Sequence, residues 1–73
     1  MREQILEAIN SSIGGITVSE DDKIVDTLDS IGVVEATLEC EKSFDITLPD
    51  FEYDNNTTIK DFIDFVDSKI KNN

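Results

Sequence analysis

Histidine is absent from this 73-residue chain, and cysteine occurs once, at Cys40. The first absence excludes Ser-His-Asp and Cys-His catalysis and the usual zinc sites. The second excludes an internal disulfide. A catalyst built from what remains would have carboxylates alone, so the chain reads as something other than an enzyme. No apolar run approaches the roughly 20 residues that span a bilayer. The opening stretch MREQILEAIN has acids inside it and no apolar core followed by a small-residue cleavage site, unlike a secretory leader. A cytoplasmic protein that stays out of membranes is the expectation.

Basic residues are scarce as well. Six Lys and Arg stand against 17 Asp and Glu, for a formal charge of −11. Such a surface repels phosphate backbones and anionic lipids, which removes nucleic acid and membrane from the expected partners. It suits proteins with basic patches, met quickly at low salt. The length supports one small domain, residues 1–73. A domain of this size buries only about 60% of the surface its unfolded chain exposes. With 38% hydrophobic residues, little apolar material is left over once a core is built.

What apolar material there is follows helical periods. Ile5, Leu6, Ile9 and Ile13 recur at helical spacing until Gly14-Gly15 stops them. Residues 16–28 show no sustained period and read as a loop pinned by Ile16, Val18, Ile24 and Leu28. A second helix is predicted from about Asp29 to Ser43 or Phe44. FDITLPD then reads as extended, because Pro49 disfavours helix at the residue before it. DFEYDN is predicted to form a short helical turn. Thr58 with Asp61 three residues on is close to a capping box. Ile59, Phe62, Ile63, Val66 and Ile70 follow as an amphipathic stripe, with Lys69 and Lys71 near the end, where positive charge suits the helix dipole. The fold class predicted is all-α: a small helical bundle of three long helices plus one short helix, acting as a monomer.

The second helix is apolar on two sides. At about 100° per residue from Ile31, the side chains Val33, Ala36, Thr37, Cys40 and Phe44 fall between roughly 140° and 240°. Ile31, Val34 and Leu38 fall between roughly 300° and 360°, nearly opposite, with Glu35, Glu39 and Glu41 to either side. The first stripe has partners in a small bundle. The second is covered by Val25 or Leu28 from the long loop, or it is a docking surface with an acidic rim. Ser30 stands at the head of this helix behind Asp29. Either the pair simply caps the helix, or Ser30 carries a phosphate-linked group, which the orphan N–H groups and positive dipole end of a helix N-terminus accommodate.

LDSIGVVEATLECEKSFDITLPD closely resembles the second-helix signature of acyl carrier proteins, and the resemblance continues through TTIKDFIDFV and, more loosely, over the first helix. It implies that Ser30 carries 4′-phosphopantetheine and that the chain shuttles acyl or aminoacyl thioesters between enzymes without catalysing anything itself. It further implies that Asp29, Glu35 and Glu41 meet basic patches on partners, and that Ile31, Val34 and Leu38 make apolar contacts beside the arm. The implied partners are a phosphopantetheinyl transferase and acyl- or aminoacyl-loading and synthase enzymes. Ala36, Cys40 and Phe44 match core positions. Ile31 replaces the usual leucine, Gly32 stands where fatty-acid carriers commonly have an acid, Leu28 replaces a small residue, and Asn56 replaces an apolar one. LDS followed by Ile-Gly is also similar to the motif of D-alanyl carrier proteins, so aminoacyl and polyketide-type carriers stay open beside the fatty-acid kind. Phe44, Phe62 and Phe65 are bulky, and Asn56 would add a polar group if it points inward. Both features predict a cargo not restricted to long fatty acyl chains.

Two rival readings remain. DFEYDNNTTIKD places Asp50, Glu52, Asp54, Asn56 and Asp61 at the offsets of a calcium loop, but Asn55 stands in place of the glycine and Asp61 in place of the final glutamate. A solvated acidic loop with no metal is the expectation there. An acidic interaction module with no prosthetic group would share the fold and the exposed stripe, and would differ only at Ser30.

Overall fold

The computed structural model describes residues 1–14 and 16–72. Among these residues there are four helices: α1 (Arg2–Ser12), α2 (Ile24–Thr27), α3 (Ser30–Phe44) and α4 (Ile59–Lys71). Three are long and one is short, as expected, but the short one is not where the sequence placed it. DFEYDN is not helical. The short helix lies instead within the stretch read as a loop. Of the Gly14-Gly15 pair, Gly15 lies outside the described residues. α1 has already ended at Ser12, with Ile13 in an extended conformation.

α1 packs against both α3 and α4. The core is built from Ile5, Ala8 and Ile9 of α1, Val33, Ala36 and Cys40 of α3, and Ile59, Phe62, Ile63 and Val66 of α4. Val18, Ile24 and Leu48 close it from the connections. The stripes read on α1 and α4, and the first of the two on α3, are thus the buried faces, because burying each such side chain is worth about 1.5–3 kcal/mol. Ile16 departs from its expected role as an anchor: it is 49% exposed. Val18, Ile24 and Leu28 keep that role, and Val18 is held by Asn10, whose Oδ1 accepts from the Val18 N–H (2.8 Å) and whose Nδ2 donates to the Val18 carbonyl (3.3 Å).

Each long helix after α1 is capped by its own sequence. Asp29 accepts from the N–H of Gly32 through Oδ1 (2.7 Å) and starts α3. Thr58 and Asp61 form the full reciprocal capping box of α4. α3 ends on Asp45, which adopts the left-handed conformation (φ 53°, ψ 50°) and donates its N–H to the Glu41 carbonyl. That turn reverses the chain, and the side chain of Glu41 then accepts from the N–H of Leu48 (2.7 Å), drawing residues 45–48 back along α3.

The α1–α3 connection is joined to the start of α4 by direct backbone hydrogen bonds. The N–H of Ile24 donates to Thr57, and those of Ile59 and Lys60 donate to the carbonyls of Asp22 and Glu20. The last two are first-turn N–H groups that a helix cannot satisfy internally. Lys23 and Thr58 form an antiparallel bridge at the same point. Arg2 adds ion pairs to Glu20 (2.8 Å) and to Asp64, so one cation links α1, the connection and α4.

Candidate functional site

The sequence of α3 dictates which side chains meet solvent. Val33, Ala36 and Cys40 face inward and are at most 7% exposed, with Phe44 half-buried beside them. On the opposite side, Ile31, Val34 and Leu38 are 65%, 56% and 58% exposed. Neither loop residue offered as a cover reaches them: Val25 is itself exposed, and Leu28 packs against the core. An uncovered apolar stripe remains on the surface.

Ser30 is the first residue of α3 and is exposed. Asp29 occupies one first-turn N–H, that of Gly32, leaving the positive end of a 15-residue helix directed at the serine. Gly32 fits closely against this cap. A Cβ there would lie 3.3 Å from Asp29 Oδ1 and 3.4 Å from the Cβ of Leu28. The large residue at 28 and the missing side chain at 32 are therefore complementary, one occupying what the other leaves free.

Ser30 also heads a groove of about 360 Å³ that runs along α3 past Val34, Leu38 and Glu41 and is walled on the far side by Leu48, Phe51 and Tyr53. Phe51 and Tyr53 are the residues the sequence reading missed. Phe51 sits edge-on to Phe62 (centroids 5.0 Å) and tilted on Phe65 (4.9 Å), and Tyr53 stacks on Phe51 at 6.2 Å. Their signal was the alternation in FEY. Spacing of two puts both rings on one side of an extended chain, whereas a helix would hold them apart.

The expected acidic positions divide. Asp29 and Glu35 are exposed beside the stripe, whereas Glu41 is half-buried, with one carboxylate oxygen committed to Leu48. Asn56 does not point inward. It is exposed, and its N–H donates to Asp54 (2.9 Å), so the polar obstruction anticipated in the core is absent. The interior is tight for another reason: the gap enclosed by Leu28, Val33, Ala36, Ile59 and Phe62 has no room for a water molecule. In the acidic loop, Asp54 accepts from Asn56 and Thr57, which holds its carboxyl below the usual range, while Asp61 caps α4. Among the described residues no group of three acids or thiols converges as a metal site. Burial pushes the Cys40 thiol up to about 12, with a smaller contribution from Glu39, so it is no nucleophile at neutral pH.

Comparison with known proteins adds to this geometry. No family model and no solved structure matches the chain. Curated proteins do, among them the following. An acyl carrier protein from a Sulfurovum species is 36% identical over 70 residues, covering 93% of this chain and 91% of the relative. One from Campylobacter hominis is 32% identical over 74 aligned positions, covering 99% and 91%. The chain belongs to the acyl carrier protein family. As an acyl carrier protein it is a carrier and not an enzyme, and its all-α bundle is consistent with that family. No helix among the described residues is long and apolar enough to cross a membrane.

Proposed function

We propose that Ser30 bears a 4′-phosphopantetheine arm on which this acyl carrier protein carries acyl or aminoacyl groups, as thioesters, between enzymes of the cytoplasm. The observation that carries the reading is the exposed hydroxyl of Ser30 at the N-terminus of α3, beside an uncovered apolar stripe. A phosphodiester fits there, because the remaining first-turn N–H groups and the helix dipole favour negative charge. In the attachment step, Ser30 Oγ attacks the pyrophosphate of coenzyme A. A bond forms from Oγ to phosphorus, the phosphoanhydride bond breaks, and adenosine 3′,5′-bisphosphate leaves. The hydroxyl proton passes to a base of the phosphopantetheinyl transferase. This chain supplies the oxygen and the helix end only, in keeping with its lack of histidine. The arm ends in the thiol that holds the acyl group.

Ile31, Val34 and Leu38, flanked by Asp29 and Glu35, are the surface offered to basic patches on the transferase and on loading and synthase enzymes of fatty-acid or related pathways. Glu41 contributes through its uncommitted oxygen. The test is intact-mass measurement after incubation with coenzyme A and a phosphopantetheinyl transferase. The parent chain is expected to gain the mass of one arm and the Ser30→Ala variant none. A Ser30→Ala chain that gains the same mass rules the assignment out.

A further inference from the structure

Six large apolar side chains are exposed among the described residues: Met1, Ile16, Val25, Ile31, Val34 and Leu38. Three are the stripe on α3. Ile16 belongs to the α1–α3 connection, distant in sequence from that stripe, yet it lines one groove together with Ile31. The groove holds about 250 Å³ and opens beside the Asp29–Ser30 turn. Leu28 and Gly32 line it as well, and the missing side chain at 32 keeps space that a Cβ would reduce. Asp29 and Glu35 are its charged members, and no basic residue lines it.

We infer that the enzyme that modifies Ser30 docks into this groove as well as along Val34 and Leu38, with Ile16 and Ile31 gripping one of its apolar side chains. The inference rests on the carrier reading of Ser30. Three observations support it. An active site that closes on Ser30 must pass Asp29, which is already a wall of the groove. The patch is continuous with the α3 stripe through Ile31, so one partner surface can cover both. The charge of the walls is of one sign, which selects an apolar knob flanked by lysine or arginine rather than by acid. Exposed apolar residues with a charged rim are the composition of a transient interface.

Val25 provides an internal control, since it is 43% exposed on the same connection but does not line the groove. The experiment uses the full apo chain and a phosphopantetheinyl transferase. On titration, the amide resonances of Ile16, Thr27 and Gly32 are expected to shift together with those of Val34 and Leu38. In steady-state loading, Ile16→Asp is expected to raise KM for the carrier about tenfold with kcat kept, a loss of about 1.4 kcal/mol of binding. Ile16→Leu should restore the parent value, and Val25→Asp should leave it unchanged. Melting curves confirm that the variants fold, and Ile16→Ser replaces Ile16→Asp if the latter does not. The inference is overturned if Ile16→Asp keeps the parent KM while Val34→Asp raises it. It is equally overturned if Ile16→Asp and Val25→Asp raise KM alike, since added charge alone would then explain the effect. A parent chain that gains no mass at Ser30 instead removes the carrier reading itself, and this inference with it.

Discussion

At the scale of the residue, α3 places two apolar side chains of similar size in opposite situations. Cys40 is fully buried, whereas Val34 is more than half exposed. Val34→Asp is expected to change stability by no more than about 0.5 kcal/mol, as for most surface substitutions, while weakening loading by partner enzymes. Cys40→Asp would bury an unpaired charge at a cost above about 3 kcal/mol, a large part of the roughly 5–10 kcal/mol that holds such a domain together. Circular dichroism of the two variants checks the pair: a folded Cys40→Asp with an unfolded Val34→Asp would reverse the assignment of the faces. The thiol gives a second test. With its titration pushed up to about 12 by burial, Cys40 is expected to resist alkylation at pH 8 in the native protein and to react at once in denaturant. Rapid native modification would mean that α3 opens far more often than its packing implies.

At the scale of the element, α1, α3 and α4 were legible because each carries several apolar residues at a helical period, and α3 and α4 have clear start signals in Asp29 and Thr58. α2 was not. Its four residues contribute a single buried side chain, Ile24, and one anchor has no period. The segment 50–55 was misread because its alternation spans only Phe51 and Tyr53, too short to establish a period of two, and nothing local shows that Phe51 has Phe62 and Phe65 to pack on. The exposed stripe on α3, the serine at its head and the acids beside it were all legible, since each follows from where a residue falls on one wheel. The commitment of Glu41 to Leu48 was not, because it depends on how the chain turns at Asp45. That turn is itself testable. A left-handed residue with a Cβ is strained, by roughly 1–2 kcal/mol for ordinary side chains and less for aspartate. Asp45→Gly should therefore hold or raise the melting temperature, and Asp45→Val should lower it by about 4–8 °C per kcal/mol. A lower melting temperature for the glycine variant would show that the aspartate side chain, and not the backbone turn, matters there.

At the scale of the whole molecule, 17 acids on 73 residues oppose compaction. Added salt screens that repulsion over about 8–10 Å, so the melting temperature is expected to rise with sodium chloride. The ion pairs of Arg2 work in the other direction. Its hydrogen bonds are the largest cause holding Asp64 below the usual carboxylate range. A depressed carboxyl contributes stability above its unfolded value, near 3.9, and loses it as pH falls through the folded value. The melting difference between the parent and Arg2→Ala should hence be constant from pH 7 to about 5, shrink below about 4, and fade in high salt. A difference unaffected by both acid and salt would assign Arg2 a packing role instead.

The backbone bonds that join residues 20–24 to residues 57–60 close the chain into a ring, and α3 lies wholly inside that ring. Both ends of the serine-bearing helix are thereby tethered to one point, so an outward swing of α3 would leave α4 in its place. Opening of that kind would admit a partner or a bulky cargo while the ring stays shut. Native-state hydrogen exchange can see the difference. The amides of Ile24, Ile59 and Lys60 are expected to exchange only when the whole domain unfolds, although Lys60 lies at the surface, whereas those of Val34 and Leu38 exchange through smaller openings. Exchange of Lys60 as fast as a frayed helix end would mean that the ring breaks first and that α3 and α4 come apart together.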